Sequence, residues 1–279
     1  PGRRRPSMPR ASTLLRVALF WTAYLAILML AAIPKGMVSP AWGSLVWGLV
    51  ATPLLVFLTH FLARRTSPPL DNIGLRPTRA GLGRLAVGLL IGCLTYAITL
   101  LVISVTVAPL HYTRTAMPAA GPLLLVLATT GLLATMEEVG FRGYSLRALL
   151  RVLPTWQAQL LVAVAFGATH LAFGWSWQTV VMGVIPSALL FGAVAQWSGG
   201  LAMPIGVHAA MNLARFATGE AGAPGVWRLV VDDASAAPLA EWAPIVATTM
   251  TLLAAAAVWV WSLRSDRHAP YLSGTTPES

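Results

Sequence analysis

Long apolar runs separated by short polar connections set the pattern of this chain. About 20 helical residues cross a hydrocarbon core of ~30 Å. Runs of that order fall at residues 17–33, 41–62, 82–108, 123–149, 156–173, 180–197, 201–216 and 242–263. The pattern predicts an all-α polytopic membrane protein with about eight transmembrane helices and a single membrane domain over residues 1–279. The polar segment 67–81 and the loop 218–241 are too short and too irregular to be domains of their own. No internal repeat is visible, which argues against an inverted-repeat transporter.

Composition agrees with the pattern. Hydrophobic residues make up 57% of the chain and charged residues 10%, at a mean hydropathy of +0.72; average soluble domains carry roughly 25% charge. The net charge of +10 could suggest a nucleic-acid partner. Its distribution says otherwise, because fifteen of the nineteen basic residues fall at one set of alternate connections. Those connections are the N-terminal segment 1–16, the linker near 64–84, the turn after the fourth run, and the C-terminus. The other set holds only Lys35, Arg114, Arg215 and Arg228. The positive-inside rule then puts both termini in the cytoplasm. The charge pattern thus points to the lipid bilayer as partner and to no nucleic acid. Eighteen arginines against one lysine point to a GC-rich bacterium, hence an integral protein of the plasma membrane. The first apolar run has full span length and no small-residue cleavage pattern, so it is expected to be retained rather than removed as a signal peptide. Trp42, Trp175, Trp177, Trp197 and Trp242 sit at span ends, where indoles favour the headgroup layer. Cys93, the lone cysteine, is expected as a packed core thiol.

Against this background the stretch ATMEEVGFRG, residues 134–143, stands out. Ionisable groups within a span are costly and mark functional sites by default. Glu138 and Arg142 are four apart and share a helical face, in the favourable order for a pair. Glu137 points about 100° away and has no local cation. One carboxylate is thus neutralised and the other is left for a separate task. His170 follows Phe166 by four residues and His208 precedes Asn212 by four, so each pair shares a face. Counting from a turn near Leu153–Pro154 places Glu137 and His170 about 24 and 25 Å along antiparallel axes. The same count puts these two about 11 Å and His208 about 12 Å inside the cytoplasmic boundary.

The motifs EEVGFR, FGATH and HAAMN, in this order on separate helices, resemble those of the CAAX protease and bacteriocin-processing (CPBP, Abi) family of intramembrane endopeptidases. The basic stretch NIGLRPTR, residues 72–79, resembles the segment that often precedes the third helix in bacterial members. The resemblance covers about residues 72–216, the CPBP-like catalytic core, and no motif position departs from the pattern. It implies a conical polar chamber among the central helices, open to the cytoplasm, and a membrane-associated peptide or protein substrate. It further implies that Glu137 is the general base, that Glu137 and His170 hold the attacking water, and that His208 and Asn212 stabilise the oxyanion. The residues themselves are compatible with those roles. A carboxylate withdrawn from water is a stronger base, and an imidazole and a carboxamide on one face can converge on developing negative charge. Glu138, Arg142 and Phe166 would support that set.

Rival chemistries leave weaker traces. No Asp lies within a span and there is no H-E-x-x-H, which removes a paired-aspartate protease and the commonest zinc-protease helix. Ser145 and Ser187 lack a serine-protease context and are expected to pack between helices. Zinc held by Glu137, His170 and His208 stays open, since two His and a carboxylate are a catalytic zinc ligand class; the metal-free reading, with no cofactor, is the expectation. A proton-coupled transporter would also carry Glu and His at depth, and a non-catalytic membrane scaffold or immunity protein could share the same helices. A His/Asn pair has no evident use in a proton relay, which favours the peptidase.

Overall fold

The computed structural model describes residues 10–65, 75, 78–115, 118–220 and 225–264. Most of 72–79, the first nine residues and residues 265–279, which include His268, lie outside that set. Helices occupy Arg10–Gly36 (α1), Pro40–Arg64 (α2), Arg79–Thr106 (α3), Ala120–Glu138 (α4), Ser145–Leu149 (α5), Thr155–Ala172 (α6), Trp177–Thr179 (α7), Ile185–Ser198 (α8), Ala202–Ala217 (α9) and Asp233–Arg264 (α10). Two π-helical turns, Val139–Gly143 and Val180–Val184, join α4 to α5 and α7 to α8. Two strands, His111–Arg114 (β1) and Trp227–Val230 (β2), pair antiparallel.

All eight expected runs fall on helices. Six helical stretches are long and apolar enough to cross a membrane among the described residues: 10–36, 40–64, 79–106, 120–149, 177–198 and 233–264. The two others are α6 and α9, the helices that carry His170 and His208. With sixteen residues α9 is about 24 Å long, short of a full crossing. Polar residues dilute both helices: Gln157, Gln159 and His170 in α6, and His208, Asn212 and Arg215 in α9.

Specific contacts fix which helix ends lie together. The Trp47 indole donates to the Leu28 carbonyl at 2.9 Å, closing the α1–α2 hairpin at the end of the molecule marked by Lys35. At the opposite end, a Cβ on Gly143 would come within 2.9 Å of Thr59, and Arg147 donates to the Gly199 carbonyl at 3.5 Å. Helices α3 and α9 run parallel and very close. A Cβ at Gly88 would strike the Met203 carbonyl, one at Gly92 would strike Ala210 at 2.8 Å, and one at Gly206 would strike the Leu85 carbonyl. Glycines four apart on α3 therefore let α9 approach backbone to backbone, the small-residue packing that membranes favour. This contact sets the position of the helix bearing His208.

The core is concentrated at the basic end. Phe20 and Tyr24 of α1, Phe141 and Tyr144 of the 139–144 turn, and Leu146 and Leu149 of α5 are all buried there. Ser145 is buried with them and donates to the Phe141 carbonyl at 2.8 Å, in the packing role expected of it. Trp42, Trp175 and Trp177 are exposed at helix ends, as an aromatic belt requires, whereas Trp242 is exposed nine residues into α10 and Trp197 is half-buried against the core. Cys93 departs from expectation: it is exposed on α3 rather than packed. Lipid is as apolar as the protein interior, so hydrophobicity alone does not tell which face of a spanning helix is buried, and the tight Gly88–Gly92 face points elsewhere.

Candidate active site

Helix α4 delivers the two glutamates where it passes into the 139–143 π turn. Such π insertions recur at functional sites because they re-aim side chains within a helix. The i,i+4 pair survives the change of winding: Arg142 Nη1 lies 3.2 Å from Glu138 Oε1, both side chains fully buried. Arg142 also donates to the Ala188 carbonyl at 2.8 Å and places its guanidinium 4.9 Å from the Phe166 ring centre. The arginine thus ties α4 to α8 and α6 at once. Gly140 opposes Tyr24 so closely that a Cβ would enter the ring, which seats α1 directly against the turn that follows Glu137.

His208 sits between the two carboxylates. Its Nδ1–H donates to Glu138 Oε1 at 3.0 Å, and its Nε2 is 3.7 Å from Glu137 Oε2. The sequence paired Glu138 with Arg142 alone; the structure has the same oxygen also fixing the His208 imidazole. Phe191 stacks on that imidazole at 4.5 Å and 15°. With one nitrogen bonded and one face covered, the ring has a single orientation, and Nε2 is the atom turned toward Glu137. Glu137 is 19% exposed at its side chain and His208 is 7% exposed. Both are open to the cavity described below.

His170 is held differently. Its Nδ1 is 2.9 Å from the Phe166 carbonyl; a carbonyl only accepts, so Nδ1 carries the proton and a neutral ring keeps its lone pair on Nε2. Phe166 is the hub between the histidines, with ring centres 4.6 Å from His170 and 6.2 Å from His208. Trp175 packs edge-on against His170 at 4.9 Å. Sequence spacing foresaw the bracing by Phe166, whereas Phe191, Tyr24 and Trp175 carry no signal in an apolar or interfacial context.

A chamber of about 1280 Å3 joins these groups. Glu137, Phe166, His170, Phe191, His208 and Asn212 all line it. Among the described residues, no hydrogen bond links His170 or Asn212 to either glutamate. The four expected groups therefore share one cavity, with contact only between Glu137 and His208. Asn212 is the most exposed of them, one turn beyond His208 toward the mouth. Ser187, expected to pack between helices, lines the wall instead.

The chamber extends toward the end of the molecule opposite the basic helix ends. Lys35, Tyr112, Trp175, Glu220, Leu229 and Val231 line the outer part of the chamber. These residues belong to the ends of α1 and α6 and to the β1–β2 connections, far from the basic helix ends. The floor, formed by Tyr24, Glu137, Phe191 and His208, is closed off from the basic end by the buried 139–149 segment.

As to a metal, the donors are suited in kind. Each histidine has its Nδ1–H on an oxygen and its Nε2 directed elsewhere, as metal-binding histidines commonly do. They are not suited in arrangement: among the described residues, no three His, Cys, Asp or Glu side chains gather closely enough to hold an ion.

Residues 119–214 match the family model described as type II CAAX prenyl endopeptidase Rce1-like. The match spans the glutamate turn, both histidines and Asn212, and bears out the resemblance carried by the three motifs. No curated protein matches the chain.

Proposed function

We propose that this chain, a CAAX-protease-type membrane protein by the match across residues 119–214, is an intramembrane endopeptidase that uses water activated by Glu137. The observation that carries the reading is the single chamber shared by Glu137, His170, His208 and Asn212, in which His208 is clamped between the two glutamates. A water between Glu137 and the Nε2 lone pair of His170 gives its proton to the Glu137 carboxylate as its oxygen bonds to the scissile carbonyl carbon. Negative charge moves to the carbonyl oxygen, where an N–H of His208 and the Asn212 amide stabilise it. Collapse breaks the C–N bond, and the proton held by Glu137 goes to the leaving amine. Glu138 and Arg142 do not touch the substrate; they hold the imidazole and the turn.

Peptide mass spectrometry on membranes containing the wild-type chain or Glu137→Gln tests the reading. New peptide termini that require Glu137 are expected; equal peptide profiles overturn it. The second reading is a zinc-dependent form of the same peptidase, for which the two histidines are suited in kind but not in arrangement. Under the metal-free reading, activity survives a strong chelator followed by dialysis. Loss under that treatment, restored by zinc but not by magnesium or calcium, replaces the glutamate mechanism.

A further inference from the structure

From the side chains that line the chamber, we propose that Arg215 is a specificity-determining residue that binds a carboxylate of the substrate about two or three residues from the scissile bond. The proposal rests on the peptidase reading, which sets the reacting carbonyl at His208 and Asn212. Arg215 follows these two on α9, seven positions after His208. Seven residues turn a helix through about 700°, within about 20° of two full turns, and advance it by about 10 Å. Arg215 therefore lies on the face that carries His208, and it lines the same cavity. Helical side chains lean toward the N-terminus of their helix, so the Arg215 stem starts out toward Asn212 and His208. An extended peptide covers about 3.3–3.6 Å per residue, and a chain held at those two groups reaches Arg215 after about two or three residues.

The charge of Arg215 is not matched within the protein. Among the described residues its guanidinium makes no ion pair and no hydrogen bond; only its backbone carbonyl accepts from Thr218 and Glu220. The Glu220 carboxylate, close by in sequence, accepts instead from the Tyr96 hydroxyl at 2.7 Å, and that hydroxyl also bonds Thr218 at 2.6 Å. The acid is thus held against α3. Lys35 also lines the cavity but lies over the Trp47 ring at 4.9 Å. Arg215 is half-buried, and the cavity wall includes Leu100, Met211, Leu239 and Ala243. Away from bulk water a hydrogen bond between charged groups is stronger, and a guanidinium meets a carboxylate with two parallel N–H donors. Two kinds of substrate carry such a group: a chain end with its α-carboxylate, and an internal segment with an Asp or Glu side chain. Arg215 also lies in the last turn of α9, where a cation favours the helix dipole. That role steadies the helix without distinguishing one peptide from another, so discrimination is the property to measure.

The full-length Glu137→Gln chain, purified in detergent, separates binding from cleavage. The probe is a short fluorescent peptide of Ala, Leu, Val and Phe in three forms: the free acid, the C-terminal amide, and the amide with a single internal Glu moved along the sequence. By fluorescence anisotropy the acid or a Glu-bearing amide is expected to bind about 10- to 100-fold more tightly than the plain amide, the range for hydrogen bonds to a charged group. Arg215→Gln should abolish the difference and Arg215→Lys restore part of it, with binding of the plain amide and the thermal melt unchanged in both. Preference for the free acid identifies a chain end as the source of the carboxylate, and preference for the Glu-bearing amide identifies an acidic side chain. Equal binding of all forms, binding of none, or a preference that survives Arg215→Gln overturns the proposal. The wild-type chain, given the same peptides and read by mass spectrometry, tests the peptidase reading separately. Cleavage about two or three residues from the carboxylate supports both. Cleavage that requires Glu137 but ignores the carboxylate upholds the peptidase reading and overturns the proposal. An Arg215-dependent preference in binding with no cleavage upholds the carboxylate site and counts against the peptidase reading.

Discussion

At the scale of the residue, two adjacent glutamates have opposite duties, and substitution should separate them. Among the described residues Glu137 has no ion pair other than the long approach to His208, so Glu137→Gln removes a base without opening a cavity. Turnover should fall about 100- to 10,000-fold, the usual contribution of a general base, with thermal stability unchanged. Glu138 is fully buried and bonded to both Arg142 and His208. Glu138→Gln leaves a buried guanidinium short of its counter-charge and should cost about 3–5 kcal/mol, the range for breaking a buried pair. A thermal melt in detergent reads the difference: a Glu138→Gln chain that melts with the wild type would show that the pair does not hold the turn. The i,i+4 half of this arrangement was legible in EEVGFR. The His208 half was not, since it joins residues seventy apart and depends on how α9 is seated.

At the scale of the element, that seating is a matter of glycine. Gly88 and Gly92 bring α3 onto α9 with no room for a side chain between them, whereas a Cβ at Gly83 on the same helix meets nothing within 4 Å. Gly92→Leu should therefore push α9 away, cost about 1–3 kcal/mol as overpacking does, and reduce turnover by moving His208 off Glu137. Gly83→Leu should change neither, and matching effects from the two variants would refute the packing role. The sequence showed where every spanning helix lies because length and apolarity are enough for that. It did not show which way each faces, because lipid rewards the same side chains as the core; Cys93 was misplaced for this reason. The π turns at 139–143 and 180–184 were likewise hidden, since one extra residue in a helical turn leaves no compositional mark.

At the scale of the whole molecule, a closed, densely packed end that carries the basic residues opposes an open end where the chamber meets its surroundings. The β1–β2 pair belongs to the open end and joins the connection after α3 to the connection before α10. Nothing in HYTR or WRLV announced it: each strand is four residues long, and they pair across more than a hundred positions. Thr113 and Arg228 are Cα partners in its register, and both are exposed, while their neighbours Tyr112 and Leu229 line the chamber. A Thr113→Cys/Arg228→Cys chain lacking Cys93 should therefore be able to form a disulfide without disturbing the cavity wall. Disulfides persist outside the cytoplasm and are reduced within it. If the open end is extracytoplasmic, the bond forms in growing cells without added oxidant, and the protein migrates faster on a non-reducing gel than after reduction. Oxidation of the purified chain is the control for geometry. A bond that forms only after purification would place the sheet in the cytoplasm and reverse the molecule in its membrane, and one that forms under neither condition would refute the strand register itself.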